Sequence, residues 1–245
     1  MRLSKAWVVA TKDLFTFRTK RGVIYSTILF PFFVAVGFPL ILRLEGARNG
    51  NIPVEALTGV MNAFSWWFII AAAVLPTAIA SYSLMGEKVE KSLEPLLATP
   101  TSDGEILLGK SIAAFVPPIL AVYGCSVLFM GLMDEVTLSG FGFLYYPNLT
   151  IAVMLLLVAP LTSLLGVEVN VLISARVNDV RTANQYGGLL SLPFGAIYVA
   201  SLLGVVSLDP GGLLALSGVL LLADVVLFFV STRLFRREEI ITKWR

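Results

Sequence analysis

The chain of 245 residues is 57% hydrophobic and only 14% charged, with a formal net charge of +2. Soluble domains carry about 25% charged residues, so this composition indicates an integral membrane protein and excludes an ordinary soluble enzyme. The slightly basic balance then reflects membrane topology and not nucleic-acid binding. The chain has no histidine and one cysteine, Cys125, which excludes an internal disulfide and most hydrolytic or zinc chemistry.

The segment before the first apolar run, residues 1–21, has the pattern of an amphipathic helix. Apolar residues recur at helical spacing while charged residues occupy other faces: Leu3, Trp7, Ala10, Leu14 and Phe17 against Lys5, Lys12, Asp13, Arg18 and Lys20. This pattern predicts a helix that lies in the inner membrane surface. The simpler alternative is an unordered basic anchor that only sets orientation.

Six apolar runs are long enough for the roughly 20 helical residues that cross a bilayer core. They are residues 22–42, 56–86, 111–133, 148–167, 182–208 and 210–232. The sequence therefore predicts an all-α integral membrane protein with six transmembrane helices, which form a single domain over 1–245. We expect no cleaved signal peptide, because the first run begins after Arg21 and is longer than a signal core.

Basic residues set the predicted orientation. Of the 18 Lys and Arg residues, six precede Gly22, three lie in 87–110, two lie between 175 and 181, and five follow Thr232. Only Arg43 and Arg48 fall on the other side. The positive-inside bias therefore predicts a multi-pass protein of the cell membrane with both termini and the 87–110 loop in the cytoplasm.

Residues 87–110 form the one long charged segment between apolar runs. An apolar stripe at helical spacing runs along its first part: Val89, Leu93, Leu96 and Leu97. Pro95 interrupts this short helix, and the residue before Pro100 must be extended. Ser102 and Glu105 then have the spacing of a capping box, which predicts that the helix of the third span begins in the cytoplasm.

Residues 104–111 also satisfy the phosphate-loop pattern G-x-x-x-x-G-K-[ST]. A phosphate loop needs a preceding buried strand and a lysine close to the start of the following helix. Here the predicted cap places Lys110 about two turns inside a helix that continues into a membrane span. We therefore interpret the match as accidental.

Glu168 and Asp224 are the ionisable residues most clearly inside apolar runs. Asp224 lies nine residues before Arg233, about 13 Å along a helix and near the middle of a core of roughly 30 Å. Such residues face the bundle interior or a wet cavity and mark transport pathways. The alternative is a structural polar contact, with Asn170 or with a neighbouring helix. Both interpretations stay open for Asp224, and the structural one is favoured for Glu168.

The fifth and sixth runs are separated only by the turn signal at residues 209–212, Asp-Pro-Gly-Gly. A plain hairpin can join them. Alternatively, a shortened fifth span is followed by two re-entrant half helices, which shielding by the protein would permit.

The 87–110 segment resembles the signature region of the permease subunits of type-two ABC exporters. The matching positions are Glu87, Glu90, Leu93, Glu94, Leu96, Leu97, Thr99, Pro100, Glu105 to Leu108, Gly109 and Lys110. Two features depart from the family pattern, Lys91-Ser92 in place of Gly-Thr and the interrupting Pro95. The six spans and the amphipathic first helix extend the resemblance over most of the chain.

This resemblance implies that the loop docks in a groove of a separate ATPase subunit, which holds ATP and magnesium, so that this chain needs no cofactor and is not itself an enzyme. It implies a second, smaller ATPase contact around Asp179 and Arg181. Six spans make half a pathway in this family, so a second permease copy is implied, most simply as a homodimer in membrane lipid. The rival function is an ion-coupled secondary transporter or channel that uses Asp224 and Glu168 without an ATPase.

Overall fold

The computed structural model describes residues 3–19, 21–49, 54–89, 101–174, 177 and 179–234. Helices make up nearly all of these ranges, and no strand occurs within them. The helices are α1 (Leu3–Thr19), α2 (Arg21–Asn49), α3 (Val54–Val89), α4 (Asp103–Phe141), α5 (Leu149–Ser174), α6 (Val180–Gly188), α7 (Ser191–Leu202) and α8 (Pro210–Leu234). The predicted all-α class is confirmed.

Five of these helices are long and apolar enough to cross a membrane. Their apolar segments are Ile24–Leu44, Leu57–Tyr82, Gly104–Phe141, Leu149–Ser174 and Pro210–Ser231. They match five of the six predicted runs. The remaining run, 182–208, comprises α6 and α7, which are separated by a tight turn at Leu189 and Leu190 whose N–H groups bond three residues back. The prediction of membrane-spanning helices is therefore confirmed for five helices in the described ranges.

The link from α7 to α8 is a short turn. Gly204 has a φ of 71°, the left-handed conformation that commonly ends a helix. Residues 203–209 contain no helix, and α8 starts directly at Pro210. The link between α7 and α8 is therefore short and non-helical, and the choice between a plain hairpin and re-entrant half helices stays a prediction.

The centre of the bundle is α3, which packs against α2, α4, α5, α6 and α7 and most extensively against α5. Small residues allow the close approach of these two helices. Ala73 is fully buried on α3, and a Cβ added at Gly166 of α5 would lie 2.6 Å from the Ala73 carbonyl oxygen. Membrane helices use such small residues because van der Waals contact between backbones replaces the hydrophobic effect.

The first helix packs against α4, and part of its predicted apolar stripe is buried. Ala6, Ala10 and Phe17 are buried, whereas Leu3 and Trp7 are 72% and 57% exposed. Small residues in this contact let the two backbones approach more closely than Leu or Trp would. The location of α1 in the membrane surface stays a prediction.

One stretch of α5 is not α-helical. Met154–Val158 forms a π-helical turn, and the hydroxyl of Tyr123 on α4 donates a hydrogen bond of 3.0 Å to the carbonyl oxygen of Leu155. Wider π turns weaken the regular backbone bonding of a helix, so an outside donor is stabilising there. No sequence feature predicted this turn.

Asp134 fixes the connection between α4 and α5. Its Oδ1 accepts hydrogen bonds from the backbone N–H groups of Tyr145 and Tyr146, at 3.0 and 2.8 Å. The buried Tyr146 hydroxyl lies 2.8 Å from Ser65 Oγ on α3, and burial raises the pKa of this phenol. The connection is therefore attached to α3 as well as to α4.

We expect Asp134→Ala to lower the free energy of unfolding by about 1–2 kcal/mol, because two backbone donors lose their acceptor. Thermal unfolding of the detergent-purified protein measures the change. The matched control is Glu135→Ala, which removes an exposed carboxylate 3.4 Å from Arg43 Nη1 and should cost less than about 1 kcal/mol. Equal losses for the two variants would contradict the role given to Asp134.

Candidate coupling end and intramembrane carboxyl pair

The start of α4 carries the part of the predicted coupling region that the structure describes. Ser102 Oγ accepts a hydrogen bond from the Glu105 backbone N–H at 3.3 Å, and Glu105 Oε2 accepts one from the Ser102 N–H at 3.0 Å. The predicted capping box is confirmed. Glu105 is buried, so its carboxylate stabilises the helix start and does not lie on the surface.

Gly109 and Lys110 lie two turns further along and face α1. A Cβ at Gly109 would meet the Ala6 carbonyl oxygen at 2.6 Å and Val9 Cβ at 2.7 Å. Lys110 Nζ lies 3.4 Å from Asp13 Oδ2, with the two side chains only 1% and 7% exposed. These residues attach α1 to α4. Their helical, buried setting also excludes a phosphate loop at this position.

The rest of the predicted loop has no description in the structure. Glu87 lies in the last turn of α3, and its side chain is not among those described. The other predicted contact positions lie outside the described residues: Glu90, Leu93, Glu94, Leu96, Leu97, Thr99 and Pro100. Their docking role stays a prediction.

The second predicted cytoplasmic contact lies at the start of α6. Asp179 Oδ2 accepts hydrogen bonds from the backbone N–H and the hydroxyl of Thr182, both at 3.0 Å. These bonds, the backbone one first, hold the pKa of the Asp179 carboxyl below its usual range. Arg181 is exposed beside it. Asp179 therefore caps α6, and Arg181 presents a positive charge at the same end of the helix.

Asn170 lies where α3, α5 and α6 meet and is fully buried. Its Nδ2 donates to the Thr77 carbonyl oxygen at 2.6 Å and to Ser81 Oγ at 2.8 Å, and its Oδ1 accepts from Ser174 Oγ at 2.9 Å. A Cβ at Gly187 of α6 would come within 2.8 Å of Nδ2. The amide thus joins three helices in a contact that leaves no space beside it.

Glu168 and Asp224 lie on α5 and α8, which pack against each other. The two carboxyls are close enough to interact electrostatically. Asp224 is 6% exposed, and both of its oxygens are buried without a hydrogen-bond partner among the described residues, as is Glu168 Oε2. The predicted structural partner, Asn170, bonds to other residues. The structure therefore places Glu168 and Asp224 on two packed helices and leaves three of their four carboxylate oxygens without a hydrogen-bond partner among the described residues.

Residues 7–209 match the profile of a family described as ABC-2 family transporter protein. The chain belongs to this family. The matched region runs from α1 to the turn before α8, which includes the coupling end, Asn170 and Glu168. A search of curated proteins gave no match.

An ABC-2 permease is a multi-pass membrane component of a transporter, and permeases of this family in general work with an ATPase subunit. In this ABC-2 permease, sequence reasoning missed the ion pair between Asp13 and Lys110. It placed Asp13 among the charged residues on the other faces of α1, and it assigned Lys110 to the loop region that resembles the ATPase contact. The available signal was weak: Asp13 is an acidic residue among basic ones, and the two residues are 97 positions apart.

Proposed function

We propose that this ABC-2 permease is the transmembrane subunit of an ATP-driven exporter, moved by separate ATPase subunits through the 87–110 loop. The observation that carries the proposal is the length of the two helices that flank this loop. α3 has 36 residues and α4 has 39, so they are about 54 and 58 Å long, against roughly 30 Å of bilayer core. Both helices therefore extend well outside the membrane.

The capped start of α4 makes this extension suited to transmitting force. The helix runs unbroken from Asp103 to Phe141, so a displacement of the loop reaches the membrane segment without a hinge at the helix start. Through Gly109 and Lys110, α1 moves with α4. In this proposal Glu105, Gly109 and Lys110 contribute to coupling from inside the protein, while the loop residues and Arg181 contact the ATPase directly.

A sixth crossing, formed by α6 and α7 together, completes the proposed topology. Gly187 lies beside Thr77, the Trp66 Nε1 donates to the Phe194 carbonyl oxygen at 2.9 Å, and the Asn62 Nδ2 donates to the Leu208 carbonyl oxygen at 3.5 Å. Residues 180–208 thus follow α3 from one end to the other, in the opposite direction. The stretch from 180 to 202 is about 34 Å long, which is sufficient for a bilayer core.

Six crossings place both termini on one side, which the basic residues assign to the cytoplasm of the cell membrane. Two contacts support this alternation of the helix ends between the two sides of the membrane. Asp13, in the second half of α1, meets Lys110 near the amino-terminal end of α4, and Arg43 meets Glu135 near the carboxyl-terminal ends of α2 and α4. The exposed apolar residues of α1, Leu3 among them, suit a helix that lies in the inner membrane surface.

The pathway itself is proposed to lie between two copies of the chain. α2 and α8 are the least buried of the five long apolar helices, so their outer faces are available to lipid and to a second permease. An ion-coupled transporter that needs no ATPase is the second candidate function, favoured by the unpartnered carboxyls of Glu168 and Asp224.

The test is co-purification with the ATPase encoded beside the permease. We expect the double variant Leu93→Asp, Leu97→Asp to lose at least about 30-fold in affinity, because two carboxylates would enter an apolar groove. The matched control, Lys91→Asp with Ala98→Asp, places the same two groups on the opposite face of the predicted helix.

The measurements are complex formation by size-exclusion chromatography and ATP hydrolysis in detergent, with far-UV circular dichroism to verify folding. The proposal requires that the stripe variant dissociates and that the control stays bound. If the wild type binds no ATPase, or if both variants bind as the wild type does, the coupling proposal is wrong and ion-coupled transport becomes the function to test.

A further inference from the structure

Among the described side chains, none provides a compensating positive charge for the carboxyl pair of Glu168 and Asp224. Both oxygens of Asp224 and Oε2 of Glu168 are sealed and have no hydrogen-bond partner in the described part of the chain. A carboxylate left unpaired in an apolar interior costs several kcal/mol, and a second like charge beside it adds to this cost. With both carboxyls ionised, the contact between α5 and α8 would therefore form only with a cation beside them.

The described side chains of the helices packed around the pair do not supply that cation. α5 packs against α3, α4, α6 and α8, and α8 packs mainly against α5. The basic residues described on these helices are Lys110, beside Asp13, and Arg181, which is exposed. The charged group that acts on Glu168 is Asp224, on the helix that packs against α5.

The other titratable groups on these helices have settings of their own. Glu105 belongs to the capping box, Glu135 lies beside Arg43, and Asp134 binds the amides of the α4–α5 connection. Among the neutral titratable groups, Tyr82 and Tyr186 are exposed, and Tyr123 donates a hydrogen bond to the carbonyl oxygen of Leu155. Tyr145 and Tyr146 lie at the opposite end of α3, and the thiol of Cys125 is buried.

A third buried polar group lies on the same face of α8. Ser231 follows Asp224 by seven residues, two helical turns, and its Oγ is also buried and unpartnered among the described residues. The described residues contain no group of three or more His, Cys, Asp or Glu side chains that could hold a metal ion. Metal ions in proteins take four or more ligands, whereas a proton needs one oxygen and no added space.

We propose that Glu168 and Asp224 form an intramembrane proton-binding site, which is occupied while α8 is packed against α5. One bound proton removes a negative charge and turns one carboxyl into a hydrogen-bond donor. Opening of the α5–α8 contact admits water, which stabilises both carboxylates and releases the proton. Release during transport rests on the proposed function, whereas proton binding itself does not.

The test uses the purified permease alone, in detergent, so its outcome is independent of the ATPase proposal. We measure the unfolding temperature between pH 5.5 and pH 8.5 for the wild type and for the double variant Glu168→Gln, Asp224→Asn, which imitates the protonated pair. The bound proton stabilises the folded state at low pH, and this stability is lost as the pH rises. We expect the wild-type unfolding temperature to fall by roughly 3 °C per pH unit more than that of the double variant.

The control variant Glu135→Gln removes an exposed carboxylate and should keep the wild-type pH dependence. A double variant with the same pH dependence as the wild type would overturn the proposal. So would a rise of the wild-type unfolding temperature with sodium or potassium at constant high pH and ionic strength, which would identify a metal cation at the site. The infrared carbonyl band of a protonated carboxylic acid gives a second measurement that does not depend on the folding of the double variant. We expect this band in the wild type at neutral pH and expect Asp224→Asn to weaken it; a wild type without the band refutes the site.

Discussion

Replacing Lys110 with Met lowers the free energy of unfolding of the permease by about 3–5 kcal/mol, the range typical of a broken buried ion pair. The substitution removes the positive charge from 3.4 Å beside Asp13, whose side chain is 7% exposed. The carboxylate would stay in the contact between α1 and α4 without this lysine. Thermal or denaturant unfolding in detergent measures the loss.

A second substitution separates charge from packing. We expect Lys110→Met with Asp13→Leu to recover most of the stability, because two apolar side chains of similar volume can replace a buried pair at little or no cost. The control is Arg43→Met at the exposed pair with Glu135, where side chains are 68% and 62% exposed and the loss should stay below about 1 kcal/mol. A Lys110→Met loss no larger than that of Arg43→Met would show that the pair does not hold α1 to α4.

The same variants address coupling. If α1 and α4 move as one unit, Lys110→Met should reduce permease-stimulated ATP hydrolysis while leaving ATPase binding intact, since Lys110 lies inside the protein and not on the docking surface. The double variant should restore both stability and stimulation. Restored stability without restored stimulation would assign the charged pair itself, and not merely the packing of α1, to the coupling mechanism.

Sequence patterns predicted the features of this fold that depend on neighbours along the chain. The apolar runs gave five of the long helices, since hydrophobic length alone decides whether a helix can cross a membrane. The spacing of Ser102 and Glu105 gave the start of α4, because a capping box closes within one turn. The burial of Asp224 was predicted because an ionisable residue inside an apolar run faces the interior of the bundle.

The missed features depend on contacts between distant residues. The Asp13–Lys110 pair, the bonds of Asn170 to α3 and the contact of Glu168 with Asp224 each join separate helices, and helical periodicity gives the faces but not the neighbours. The helix α6 ends at the Gly187-Gly188 pair, directly before the turn at Leu189 and Leu190. This local helix-ending signal was present, but the prediction of one continuous span did not use it. The packing of α1 on α4 uses Ala6, which the predicted apolar stripe did not include, because close backbone approach selects small residues.

The close approach of α3 and α5 gives the second large expected effect. We predict that Gly166→Leu lowers the free energy of unfolding by about 3 kcal/mol or more, although leucine favours helices over glycine by nearly 1 kcal/mol. A Cβ at this position lies 2.6 Å from the Ala73 carbonyl oxygen, which is backbone and cannot rotate away. The two helices must therefore separate, and the hydrogen bonds of Asn170 to Thr77 and Ser81 lie in the same contact.

Gly218 on α8 is the matched control, since a Cβ there meets no atom within 4 Å. Gly218→Leu should raise stability by up to about 1 kcal/mol, because the helix gains a better former and loses nothing in packing. Opposite signs for the two variants would assign the loss at Gly166 to the α3–α5 contact. If both substitutions changed the free energy of unfolding in the same direction, the α3–α5 contact would accommodate the leucine, and α5 would be free to shift against α3. In that case the rigid part of the bundle is limited to α3 with α4, and the carboxyl pair between α5 and α8 lies on the moving side.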